Sequence, residues 1–141
     1  GHSRSILYSG SAVYEDYINE QIRWARQAMQ EPLFAGAPVK ICLIHVPMID
    51  HPDKNDYLLQ RWLNVHFVPL LDEAGIDLMI SADLHEFMYL TPGTMNNPFP
   101  ILVNDDVRRL DCSYDSGKLT LTTYNAAGEM EFSTVLEVGF L

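Results

Sequence analysis

Residues 39–47 read VKICLIHVP and residues 76–85 read IDLMISADLH, and the relation between these two stretches decides the fold. Val39 to Val46 is apolar almost throughout, the composition of a strand covered on both faces, and Pro47 ends it. Ile76 to Ser81 is a second, shorter run of the same kind. Between them, after a polar loop from Ile49 to Asn55, Tyr57, Leu58, Leu59, Trp62, Leu63, His66, Phe67, Leu70 and Leu71 recur at helical spacing, and Gly75 is placed to stop that helix. Strand, helix, strand in this order predicts a β-α-β crossover, parallel within one sheet and right-handed. Both strands then end on one sheet edge. Ligands of such sheets bind beyond the carboxyl ends of the strands, which is where His45 and the Asp83-Leu84-His85 triplet fall.

Working outward, Tyr17, Ile18, Ile22, Trp24, Ala25, Ala28 and Met29 recur at three and four residues and predict an amphipathic helix from Tyr14 to Met29. Ser11 is placed to cap it, and Pro32, Gly36 and Pro38 mark a loop after it. Toward the other end Ile101 to Val103, Arg109 to Tyr114, Leu119 to Tyr124 and Met130 to Leu136 read as short strands. Asp115-Ser116-Gly117 and Asn125-Ala126-Ala127-Gly128 supply residues that tolerate positive φ in hairpin turns, so this end reads as an antiparallel meander. The fold class is α/β, and residues 1–141 form a single domain.

Composition narrows the function. An apolar fraction of 48% with 20% charged residues is that of an ordinary globular chain, and no run approaches a membrane span. A formal charge of −10 repels polyanions, so no nucleic-acid partner is expected. Cys42 in an apolar run and Cys112 in an alternating one read as small core residues rather than a disulfide framework. The chain opens Gly1-His2-Ser3 with no initiator Met and no signal pattern, as a processed or excised piece would, so a missing N-terminal half is expected.

Three residues at the shared strand edge carry the chemistry: His45, Asp83 and His85. Imidazole and carboxylate are donors for Zn, Mn or Fe, and alternation along an extended segment points Asp83 and His85 the same way. On the residues alone two readings stand: half of a metal site, or a hydrogen-bonded loop histidine beside a turn acceptor. Other polar groups have plainer readings. His66 lies on the apolar helix face as a core or core-edge residue, His51 in an exposed loop, and Asn104, Asp105 and Asp106 in a turn. Glu86 is a solvated carboxylate or a second hydrogen-bond partner for a ligand, and Trp24 and Trp62 belong to helix cores. No Gly-rich phosphate loop, Ser nucleophile elbow or Cys nucleophile signature occurs.

Ile44-His45-Val46-Pro47 and Ala82-Asp83-Leu84-His85 resemble the G-H-H-P-like and G-H-x-H elements of the calcineurin-like metallophosphoesterases, which include purple acid phosphatases. Trp24 in the preceding helix and Phe67 to Ser81 are similar to that family's approach to the two motifs, and element order agrees to the closing strands. The resemblance implies the C-terminal half of a four-layer α/β/β/α sandwich. It also implies a dinuclear site of two divalent or trivalent ions (Mn, Zn or Fe), with His45 on the second metal, His85 on the first and Asp83 where a histidine ligand is usual. Val46 and Ala82 replace a His and a Gly of the pattern. The earlier D-x-H, G-D-x-x-D and G-N-H-[ED] motifs do not precede His45, so the expected enzyme is the full-length protein, acting on a phosphomonoester or phosphodiester. The chain alone is expected to be inactive, to hold no metal tightly, and to self-associate through an uncovered sheet edge. A non-catalytic interaction domain derived from the same sheet is the alternative.

Overall fold

The structure, a computed structural model, describes residues 12–49 and 57–139, and for 12–15 and 57–61 the backbone alone. The described residues are mixed α/β with two sheets. The first sheet contains β1 (Ile41–Leu43), β2 (Leu78–Ser81), β3 (Met88–Leu90) and β4 (Ile101–Val103) in the order β1-β2-β4-β3. β1, β2 and β4 run parallel, with Ile41 opposite Leu78 and Met79 opposite Ile101, while β3 is antiparallel to β4. The expected crossover is present, and β1 and β2 end on the same edge.

β2 and β4 are covered on both faces, which is why they read as unbroken apolar runs, whereas β1, expected to be covered in the same way, is half-buried at Ile41 and Cys42 and leaves Leu43 75% exposed. Met79, Ile101 and Val103 face the helical side with Leu63, Leu71 and Ile76, while Leu78 and Leu102 pack against Leu119, Leu121 and Val138 of the second sheet and its end. Ile101, Leu102 and Val103 are all fully buried.

The first helix, α1 (Ala12–Gln30), turns Ile18, Ile22 and Ala25 inward at helical spacing. Tyr17 and Trp24 flank that stripe and are 55% and 69% exposed, so Trp24 is not the core residue its sequence position suggested. Where a loop was expected after α1, Pro32 instead opens a one-turn helix, α2 (Pro32–Ala35). Proline suits the first helical position, because that N–H has no intrahelical partner anyway. Among the described residues, the expected single helix between β1 and β2 is two, α3 (Tyr57–His66) and α4 (Val68–Glu73), broken at Phe67. Pro69 has no N–H to give the Val65 carbonyl and its ring crowds that carbonyl, which explains the break.

Gly75 ends α4 as expected. Its N–H donates to Asp72 O (3.1 Å), Ile76 N–H donates to Leu71 O (3.2 Å), and Ile76 and Leu71 are both buried, a complete Schellman closure. With φ at +81° and no atom within 4 Å of an added Cβ, a side chain here meets only the left-handed backbone penalty. Gly75→Ala is expected to cost about 1–2 kcal/mol in urea unfolding, with an unchanged denaturant slope.

The second sheet is the expected meander of β5 (Arg109–Asp115), β6 (Lys118–Tyr124) and β7 (Met130–Glu137). Ser116 and Gly117 (φ +51° and +81°) make the first tight turn, and Asn125 Oδ1 accepts from the N–H groups of Ala127 and Glu129 in the second. β4, expected to lead into this meander, belongs to the parallel sheet, and β3 was not anticipated. Buried Asn97 reverses the chain between them, donating to Thr91 O (3.1 Å) and Phe99 O (2.8 Å) and accepting from Met95 N–H (3.0 Å).

Candidate functional site

Pairing between β1 and β2 continues past the last ladder residues. Ile44 N–H donates to Ile80 O (3.1 Å), and Ala82 N–H donates to His45 O (3.0 Å). The backbone thus clamps the residues that follow both strands. At that clamp His45 Nε2 lies 3.1 Å from Asp83 Oδ1, with the imidazole 73% and the carboxylate 12% exposed. These are two of the three side chains that the crossover was expected to bring together.

His85 goes elsewhere. Asp83 and His85 have φ of +68° and +56°, so their segment is not extended and the alternation that would point them the same way is lost. Leu84 N–H donates to Ala82 O (2.8 Å), a γ-turn centred on Asp83 in its strained, positive-φ form. Asp and His are among the side chains that tolerate this region best, and such outliers cluster at functional sites. The bend turns His85 toward Asp106, whose Oδ2 and Oδ1 lie 2.8 and 3.0 Å from Nδ1.

Asp106 lies in the turn expected over Asn104, Asp105 and Asp106, and that turn is tightly built. Asn104 N–H donates to Ser81 O (2.9 Å), and Asn104 Nδ2 donates to Arg108 O (2.9 Å). Asp105 accepts from the N–H groups of Val107 (3.1 Å) and Arg108 (2.9 Å) and pairs with the Arg108 guanidinium. Arg108 also pairs with Glu131 on β7 (2.7 Å) and stacks over Phe87, with Cζ 5.0 Å from the ring centre, fastening the second sheet to the site loops. Asx-type turns leave a weak sequence signal, Asn and Asp in succession; the reach of Asp106 to His85 leaves none.

The Asn125 amide and then the Arg108 guanidinium hold the Glu131 carboxyl below its usual range. A lowered carboxyl stabilises the fold above its unfolded pKa, and that stability is lost as pH falls through the folded value. The difference in melting temperature between parent and Glu131→Gln is therefore expected near neutrality and to vanish well below about pH 4.3, measured by thermal melts across pH.

Donor chemistry suits a metal. A tetrahedral zinc with nitrogen at 2.0–2.1 Å sets neighbouring donor atoms about 3.3 Å apart, close to the 3.1 Å between His45 and Asp83. Asn104 Oδ1, beyond the carboxyl end of β4, is buried with no hydrogen-bond partner, an acceptor of the kind that water or an ion satisfies. Among the described residues, however, no three His, Cys, Asp or Glu side chains gather in one shell. His45 with Asp83 and His85 with Asp106 form two separate pairs.

The remaining candidates sort as follows. His66 is exposed rather than a core histidine, its ring 3.9 Å from that of Trp62, which is half-buried. Trp24 and Tyr17 line an open groove of about 800 Å³ between α1 and the α3–α4 pair, whose wall includes Ile44 and Met48 on either side of His45. Cys42 is half-buried against the core, but Cys112 is exposed, contrary to expectation. Burial raises the pKa of both thiols, with Asp111 adding to the rise at Cys112, so neither is activated as a nucleophile. His51, the Ser11 cap and the loop over 50–55 lie outside the described residues. No described helix is long and apolar enough to cross a membrane. The sequence matches no family model and finds no significant match among curated proteins.

Proposed function

We propose that this chain is the C-terminal part of a metal-dependent phosphoester hydrolase of the calcineurin-like type, its helices and two sheets forming half of a four-layer α/β/β/α sandwich. One observation carries the reading: an imidazole and a carboxylate from separate segments meet at 3.1 Å beyond the carboxyl ends of adjacent parallel strands. His45 and Asp83 would hold one ion. His85 would hold the other through Nε2, because Nδ1 is engaged by Asp106. The bound ions, two of Mn, Zn or Fe, would activate water and neutralise charge on a phosphoryl group. Within that scheme Asp83 contributes negative charge as well as a donor atom, which favours harder cations than a histidine would. The γ-turn holds the Asp83 carboxylate against His45 while the imidazole remains open to solvent. The remaining ligands and the leaving-group acid would come from outside this chain.

A second reading is favoured by one specific observation, the division of the donors into two pairs with no three-donor group among the described residues. In that reading the sheet is an interaction domain and the pairs are surface ion pairs. Hydrolysis of an aryl phosphate monoester and diester by the full-length protein, after chelation and reloading with Mn, Zn or Fe, separates the two. Restored turnover supports the hydrolase, and silence with every metal and both esters supports the interaction domain. The chain alone is expected to turn over neither ester, and to self-associate through its exposed apolar residues, which include Leu43 on the outer strand β1.

A further inference from the structure

We infer that Asp106 is a positioning residue, fixing His85 in the Nδ1–H tautomer so that Nε2 is presented as a donor; this rests on the metal reading above. The Asp106 carboxylate receives Nδ1 with both oxygens, at 2.8 and 3.0 Å. Imidazole in water prefers to carry its proton on Nε2, which would place the lone pair on Nδ1. An acceptor on Nδ1 reverses that preference, and histidine ligands commonly use a carboxylate in this way.

Two features make Asp106 the residue for the task rather than its neighbour. Asp105 is consumed within the turn by two backbone N–H groups and the Arg108 guanidinium, so of the adjacent carboxylates only Asp106 reaches across to His85. The turn carrying it is tied at its start to Ser81 O on β2, the strand that leads to His85, and at its end by the Asn104 amide to Arg108 O. His85 and Asp106 thus hang from neighbouring strands, β2 and β4, whose register is set by the sheet. Asp106 is 68% exposed, so its removal leaves no buried gap.

The test reads the tautomer in metal-free protein and the metal separately. Long-range ¹H–¹⁵N spectra are recorded for the full-length protein and for its Asp106→Ala variant, then repeated during a Zn²⁺ titration. The parent is expected to show His85 protonated on Nδ1, and Asp106→Ala to move the proton to Nε2 and weaken the Zn²⁺ response of His85 by 10–100-fold. A parent protonated on Nε2, a tautomer indifferent to Asp106, or equal Zn²⁺ affinity in both proteins overturns the inference. If the tautomer switches as expected but Zn²⁺ never touches His85 in the parent, the positioning role falls together with the metal reading beneath it. The tautomer then shows that the fault lies with the metal and not with the Asp106 contact.

Discussion

His45→Ala in the full-length protein is expected to lower metal-dependent phosphoester hydrolysis by on the order of 100-fold or more while leaving the melting temperature almost unchanged. A bound metal contributes several kcal/mol to the transition state, and each 1.4 kcal/mol is a factor of ten in rate. The imidazole is 73% exposed, so its loss opens little buried space and removes a donor together with its 3.1 Å contact to Asp83. Asp83 needs a more careful substitution. Its φ of +68° penalises alanine for backbone reasons alone, whereas Asn tolerates that region and removes only the charge. Asp83→Asn is expected to follow His45→Ala in direction, with a smaller loss because the amide oxygen still donates. Asp83→His, which restores the residue implied by the resemblance, is expected to keep activity and shift metal preference toward zinc. His66→Ala is the control, since that ring touches Trp62 on the helix surface and should leave turnover within twofold. Steady-state assays with each metal check all four, and full activity in His45→Ala would remove His45 from the site.

Leu102→Ala is expected to produce the largest loss of stability, about 2–5 kcal/mol in urea unfolding. Leu102 has no exposure and lies on β4, which is paired on one side to β2 and on the other to β3. Its side chain fills the space between the two sheets, where Leu78, Leu119 and Leu121 are also closed off from water. Strands ordered on both sides cannot shift to collapse the cavity, so the cost should fall in the upper part of that range. Whole domains have about 5–15 kcal/mol of stability, so one such change removes a large share. Leu33→Ala provides the contrast. Leu33 is 90% exposed on α2, and its loss should stay within about 0.5 kcal/mol. A Leu102→Ala cost below about 1 kcal/mol would mean that the two sheets do not pack as described.

How much of this was legible in the sequence depends on the range of the interaction. The apolar runs at Val39 and Ile76, the helical spacing between them and Gly75 were enough for the crossover, although only β2 is buried on both faces and β1 leaves Leu43 exposed. The turns at Gly117 and Gly128 were readable since they need residues that accept positive φ. Pro32 and Pro69 are plain in the sequence, but a proline that ends a helix can equally open the next one, and here each lies in the first turn of a helix where a loop and a continuous helix were expected. β3 escaped although its apolar run, Phe87 to Leu90, is no shorter than the Ile101 to Val103 run read as a strand, because its pairing with β4 is set by the Asn97 turn rather than by pattern.

The site divides in the same way. That His45 and Asp83 meet followed from strand order alone. That His85 leaves them did not, since period-two alternation holds only in extended backbone and the γ-turn at Asp83 abolishes it. The exposure of Trp24 and His66 was missed for a related reason. Helical spacing identifies a stripe, but not which residues at its margins have something to pack against.

Anomalous diffraction from crystals of the full-length protein grown with Mn²⁺ or Zn²⁺ tests the central claim most directly. The account predicts a peak about 2.0–2.2 Å from both His45 Nε2 and a carboxylate oxygen of Asp83 for zinc, and a second ion reached by His85 Nε2. Ions bound elsewhere, with His45 still 3.1 Å from Asp83 and nothing between or beside them, would contradict it.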